Sequence, residues 1–276
     1  MKTTWVYSIQ SCIHQVRCCT SNLNQRISLG VKYTQAQPLC DLYMQEQEYI
    51  ANTEETVLIA YLASTPSGFF VEVGASHPFD LSVSWPFERA GWNGILIEPI
   101  PECAELLRIN RSATVVECAC TSPNAPATGI LTIQSVGGVS STMSENFLFK
   151  GESSSIEVDC RTLDSILKEH DVKKINLLSI DVEGFEYDVL KGLNLEIYRP
   201  DLIFIEDHMH YKHSHRHLVN HGYKIIRRTG PNNWYIPSNF DHDLNLFEQL
   251  YLFKKTNITP IKNQFNRFFR NIFGRA

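Results

Sequence analysis

The chain has 276 residues, of which 43% are hydrophobic and 20% charged, and its formal net charge is −5. That balance suits a globular protein with a sizeable core, and the lack of concentrated positive charge argues against a nucleic-acid partner. No window approaches the ~18 apolar residues of a membrane-spanning helix. The opening from Met1 to Ser8 meets Gln10 and His14 before a secretory core could form, so the cytoplasm is the expected location.

Residues 1–50 show mixed polarity and no period, and read as an N-terminal extension or cap. From about Gln45 to Ser64 the apolar residues Tyr49, Ile50, Val57, Leu58, Tyr61 and Leu62 recur at helical steps until Pro66-Ser67-Gly68 stops them. Short apolar runs then alternate with helical stretches. Strands are predicted at Phe69–Val73, Gly94–Ile97, Thr114–Cys118, Ile175–Ile180 and Leu202–Ile205. Helices are predicted at Leu81–Ala90, Glu102–Asn110, Leu163–His170, Phe185–Gly192 and Ser214–Asn220. The stretch Leu131–Val158 reads as strands and loops, and Tyr223–Arg228 with Trp234–Ile236 as a closing hairpin around Thr229-Gly230-Pro231.

This alternation predicts an α/β domain over 51–240, with a mostly parallel sheet covered by helices on both faces and a C-terminal antiparallel hairpin. Residues 241–276 read as a helical extension. Its tail interleaves Phe265, Phe268, Phe269, Ile272 and Phe273 with Arg267, Arg270 and Arg275. Such a basic amphipathic pattern suits docking on the core, and equally contact with a membrane surface or partner.

Ligands of open α/β sheets bind beyond the carboxyl ends of the strands, so the residues that end each strand are the candidates. Glu72-Val73-Gly74-Ala75-Ser76 follows the first, and Gly74 and Ala75 let a ligand approach the backbone closely. The dinucleotide pattern G-x-G-x-x-G is incomplete, with Ser76 and Pro78 where glycines would help, which disfavours a nicotinamide oxidoreductase. Glu98 ends the second strand, where a carboxylate can accept hydrogen bonds from ribose hydroxyls. Asp181 and Glu183 follow the fourth. They could position substrate hydroxyls, bind a divalent cation, act as a base, or simply cap the helix behind them. Glu206-Asp207-His208 ends the fifth and adds carboxylate and imidazole.

Six of the ten histidines lie between His208 and His221. His213, His217 and His221 share helical spacing, but no Glu or Cys stands at a zinc-diagnostic distance, so a solvated polar helix is expected. None of the eight cysteines is in a C-x-x-C arrangement, and reduced, mostly buried thiols are the expectation.

The runs Val71-Glu72-Val73-Gly74-Ala75, Ile97-Glu98-Pro99, Thr162-Leu163-Asp164 and Ser179-Ile180-Asp181-Val182-Glu183-Gly184-Phe185-Glu186 together resemble the FkbM family of methyltransferases, over about residues 69–208. The resemblance implies a class I methyltransferase with a Rossmann-like, mostly parallel seven-stranded sheet. It further implies S-adenosylmethionine as methyl donor and a hydroxyl oxygen of a sugar, glycan or related small molecule as acceptor. By position, Glu72, Gly74, Ala75 and Ser76 would line the methionine end of the cofactor, Glu98 would hold the ribose, and Asp181 and Glu183 would lie beside the transferred methyl. The family's first loop usually reads Asp-x-Gly-Ala-Asn-x-Gly. Here Glu72 stands for the Asp, Ser76 for the Asn and Pro78 for the last Gly. Asp181, Glu206 and His208 are the candidate bases, a divalent metal is open, and the Gly137–Met143 loop is a candidate acceptor contact. A non-catalytic adenosylmethionine- or nucleotide-binding interaction module is the alternative.

Overall fold

The computed structural model describes residues 65, 67–79, 82–135, 139–142, 153–207, 212–229, 231–241 and 246–258. The helix expected over Gln45–Ser64, the N-terminal extension, His208 and the basic aromatic tail lie outside these residues.

One compact unit contains residues 1–68 and 83–93. Its described helix, α1 (Trp85–Arg89), is shorter than the predicted Leu81–Ala90. Pro86 marks its beginning rather than interrupting it, because a first-turn proline lacks only an N–H that has no helical partner anyway. Trp92 packs on Phe87 with ring centroids 4.9 Å apart and fills the space beside Gly68, where a Cβ would meet the indole at 2.6 Å.

The second unit, 69–82 with 94–276, carries the sheet and the candidate site. In chain order its elements begin β1 (Phe69–Val73), β2 (Asn93–Ile97), α2 (Pro101–Asn110), β3 (Thr114–Val116) and β4 (Ala119–Cys120). An excursion follows, made of β5 (Thr128–Ser135), β6 (Val139–Thr142) and β7 (Ser153–Arg161). Then come α3 (Leu163–Glu169), β8 (Leu177–Ile180), α4 (Glu186–Lys191), the short α5 (Leu195–Tyr198), β9 (Leu202–Glu206) and α6 (His213–Asn220). The hairpin strands β10 (Tyr223–Thr229) and β11 (Asn232–Pro237) precede α7 (Leu246–Phe253), which runs into a π-helical turn, Lys254–Ile258.

The seven strands are ordered β10-β11-β9-β8-β1-β2-β3. β1 runs parallel to β8, β8 to β9 and β2 to β3, while β11 is antiparallel to both β9 and β10. The expected hairpin is present, and its second strand is inserted between β9 and β10. β8 is buried along its whole length, and β1, β2 and β9 along nearly all of theirs, as expected of strands covered on both sides. One face presents Val71, Val73, Ile95, Ile97, Leu178, Ile180, Ile203 and Ile205 to a core closed by Leu163, Ile166, Val189, Leu190 and Leu218 from α3, α4 and α6. Each such side chain contributes roughly 1.5–3 kcal/mol on burial. On α3 the apolar positions 163, 166 and 167 follow the helical period, and Thr162 caps the first turn by accepting the Ser165 N–H.

The Leu131–Val158 stretch is more ordered than its Gly/Ser-rich sequence suggests. β5 and β7 pair antiparallel over seven residue pairs, with β6 on one side and β4 on the other, as a separate four-stranded sheet. The predicted third strand stops at Val116 because the chain leaves β2 and pairs Ala119 and Cys120 with β7 instead. The candidate acceptor loop Gly137–Met143 becomes strand β6 over Val139–Thr142, and Gly137, Gly138 and Met143 lie outside the described residues. Among the described residues, no helix is long and apolar enough to cross a membrane.

Candidate active site

β1 ends in a turn that the sheet itself shapes. The Gly74 and Ala75 N–H groups both donate to the Ile97 carbonyl, at 2.9 and 3.2 Å, and the Asp181 N–H donates to the Val73 carbonyl at 3.0 Å. Gly74 has φ +83°, and a Cβ there would sit 1.8 Å from the Asp181 carbonyl oxygen. Backbone hand and backbone contact therefore both demand glycine. This close approach brings the ends of β1 and β8 together.

Ser76 follows with φ +46°, a left-handed backbone that a serine adopts only where something holds it. The holder is Glu98. One carboxylate oxygen accepts the Ser76 N–H at 2.8 Å and the other the Ile100 N–H at 2.9 Å. Glu98 is only 3% exposed, and burial raises its pKa against the opposing pull of those two N–H groups. The residue expected to hold a ribose thus also clasps the β1 loop to the start of α2. Each oxygen keeps a further lone pair for a ligand hydroxyl.

Glu72 is buried and accepts the Ser82 hydroxyl at 2.8 Å. Behind it lies Arg111, the residue after α2, also buried. Its guanidinium donates to the Pro78 carbonyl at 2.8 Å and to the Ser82 hydroxyl oxygen at 3.1 Å. Sequence reasoning missed both Arg111 and Ser82, since neither lies at a strand end.

The carboxylates form the second half of the site. Burial first, then the charges of Glu206 and Glu183 and a hydrogen bond with Glu206, push Asp181 up to about 8. Asp181 and Glu206 thus stand close together at the ends of the adjacent parallel strands β8 and β9. Glu183 has φ +52° and Gly184 φ +106°, a tight turn that reverses the chain into α4. Its stabiliser is Glu186, which accepts the Gly184 N–H at 2.8 Å and is pushed up to about 7 by burial. The helix α4 begins at an N-cap, Phe185, with no side-chain cap hydrogen bond.

The hairpin holds the end of β9. Arg228 and Asn233, both buried, donate to the Asp207 carbonyl at 3.0 and 2.9 Å, and Arg228 also donates to the Asn233 amide oxygen. They anchor the segment that carries Glu206. Of the α6 histidines, His213 is exposed as a solvated face requires, while His215 and His217 are partly buried. His217 is half-buried, its ring 4.3 Å from that of His221 and 5.8 Å from Tyr187, and burial lowers its pKa. His215 reaches the Tyr235 hydroxyl at 3.1 Å. Among the described residues no group of three or more His, Cys, Asp or Glu could hold a metal ion, and Cys103, Cys118, Cys120 and Cys160 are free thiols.

The methyltransferase FkbM domain matches residues 72–225, more than half of the chain and the whole stretch from Glu72 to the first hairpin strand. The chain belongs to the FkbM methyltransferase family. Its sheet order, with the last strand inserted antiparallel beside β9, is the Rossmann-like arrangement expected of that family. No curated protein matches it. Among solved structures, a methyltransferase FkbM from Methylobacillus flagellatus KT aligns at 18% identity and TM-score 0.41, over 72% of this chain and 52% of that one. The present chain thus spans about half the length of that relative. A precorrin-6y C5,15-methyltransferase from Geobacter metallireducens GS-15 aligns at 11% identity and TM-score 0.35, over 66% of this chain and 85% of that one.

Proposed function

We propose that this FkbM methyltransferase uses S-adenosylmethionine and transfers its methyl group to a hydroxyl oxygen of a sugar, glycan or related small molecule. The observation that carries this reading is the buried Asp181 carboxyl, with Glu206 close by, at the ends of two adjacent parallel strands beside the Gly74 turn.

The residues fit the cofactor. Its ribose diol needs acceptors, which Glu98 offers, and its ammonium and sulfonium are cations, which suit an edge bearing Glu72, Asp181 and Glu183. The small residues Gly74 and Ala75 allow the close backbone approach that a methionine moiety requires. When bound, S-adenosylmethionine supplies a methyl group already activated on sulfur. The protein's task is then to align that group with the acceptor and to keep water out, and alignment of this kind is worth on the order of 7–11 kcal/mol.

A sugar hydroxyl is a weak nucleophile and must lose its proton as the new bond forms. Asp181 and Glu206 are the carboxyl groups placed to receive it. Release then proceeds through a carboxyl whose pKa lies near neutrality rather than near the ordinary Asp value of 3.8. His208, two residues beyond Glu206, is the further candidate base.

The test has two stages. The chain is first titrated calorimetrically with S-adenosylhomocysteine and with NAD, and then incubated with methyl-labelled S-adenosylmethionine and a panel of hydroxylated acceptors. Binding of the homocysteine product alone, followed by label in an alkali-stable ether, supports the proposal. Absence of binding sinks the cofactor assignment. Binding without transfer to any oxygen acceptor turns the reading toward a non-catalytic adenosylmethionine-binding module.

A further inference from the structure

The loop after β1 departs from its family's pattern at the position where Pro78 replaces a glycine. A proline has no N–H, so the loop loses one backbone donor there and cannot be held from the amide side. The structure holds it from the carbonyl side instead. Arg111 donates to the Pro78 oxygen at 2.8 Å, and the same guanidinium nitrogen reaches the Ser82 hydroxyl oxygen at 3.1 Å. Ser82 in turn donates to the Glu72 carboxylate at 2.8 Å. A chain of hydrogen bonds thus runs from Arg111 through Ser82 to Glu72, while Glu98 pins the loop's other end at Ser76.

We propose that Arg111 is the positioning residue of the cofactor loop, holding Pro78 and Ser82 and, through Ser82, setting the direction of the Glu72 carboxylate. The inference rests on the cofactor reading above. Three features support it. The guanidinium is buried, with only 7% of the residue exposed, so its hydrogen bonds are not in competition with bulk water. Its charge lies over the Phe70 ring at 6.0 Å, on the strand that leads into the loop. Its backbone is fixed by its own N–H bond to the Leu107 carbonyl at the end of α2, so its origin is rigid while its head reaches 33 residues back along the chain. One guanidinium nitrogen, with its two N–H groups, serves both acceptors at once.

The experiment compares the full chain with Arg111→Ala, Arg111→Lys and Ser82→Ala, measuring the S-adenosylhomocysteine dissociation constant by calorimetry and the melting temperature of each. Arg111→Ala is expected to weaken binding by about tenfold or more and Ser82→Ala by roughly threefold, with Arg111→Lys in between. A merely structural Arg111 would lower the melting temperature and leave the dissociation constant of the folded protein unchanged. An Arg111→Ala protein that folds and binds as the parent does overturns the proposal. Should that variant fail to fold, a Ser82→Ala protein with parental affinity overturns it equally. A parent chain that does not bind S-adenosylhomocysteine removes the cofactor reading itself, and this inference with it.

Discussion

The Ser76 amide donates to Glu98 at 2.8 Å, which ties the loop after β1 to the end of β2 through one buried carboxylate. The carboxylate proposed to hold the cofactor's ribose is therefore also the one that gives the loop its shape. Under that proposal cofactor affinity and local order are coupled at this residue, and the first prediction follows.

Replacing Glu98 with Gln leaves one oxygen to accept and turns an N–H₂ toward a backbone N–H, Ser76 or Ile100. The variant is expected to lose ~1–3 kcal/mol of stability and to bind S-adenosylhomocysteine at least about tenfold more weakly. Urea denaturation and calorimetry read the two effects separately. Unchanged values in both would mean that the carboxylate holds neither loop nor ligand.

Gly74→Ala adds a Cβ 1.8 Å from the Asp181 carbonyl oxygen at a backbone with φ +83°. Something must move, and both neighbours are main chain in the central strands. The expected loss is about 2–4 kcal/mol, well above the ~1 kcal/mol of an ordinary positive-φ glycine. Gly91→Ala is the control, because its φ is +92° but a Cβ there would meet nothing within 4 Å. Chemical denaturation midpoints of the two variants should therefore differ clearly.

Asp181 titrates higher in the folded chain than in the unfolded one, where its value is close to 3.8. Below that value both states hold the proton. As pH rises from 3.8 towards about 8 the unfolded state releases its proton first, so stability falls over that window. Asp181→Asn cannot titrate, and its stability should decline less over the same range. Thermal melts at several pH values for both proteins test this, and parallel curves would refute a raised Asp181.

Glu206→Gln removes the second of the two neighbouring carboxyl groups while keeping its shape. Transfer to a hydroxyl acceptor is expected to fall by about 100-fold in kcat, with the S-adenosylhomocysteine dissociation constant changed by less than about threefold. Full activity in this variant would assign proton removal elsewhere, with His208 the next residue to test.

Much of this protein is legible in the chain alone, because buried strands announce themselves. Phe69–Val73 and Leu202–Glu206 are short apolar runs ended by an acid, and the hairpin is marked by its Gly-Pro turn. The strand-end acids Glu72, Glu98, Asp181 and Glu206 were therefore locatable from local pattern. The four-stranded β4–β7 sheet was not, since its Gly- and Ser-rich strands have little apolar alternation and exist through pairing with distant partners. The start of α1 was not legible for a related reason: Pro86 is equally a breaker or a first-turn residue, and only the neighbouring chain decides which.

What the amino-acid order determined by itself is the succession of elements, the family, and which residues arrive at the ligand-facing edge. It could do so because helix and strand periods, turns and strand-end acids are all local in sequence. Tertiary structure alone decided how those residues are used. Glu98 became a clasp as well as a candidate ribose acceptor, Asp181 was raised by burial and the neighbouring Glu206, and Arg111 reached back to Pro78 and Ser82. Each of these depends on groups 22 or more residues apart meeting where water is scarce, and burial of that kind sets pKa values and makes hydrogen bonds costly to lose.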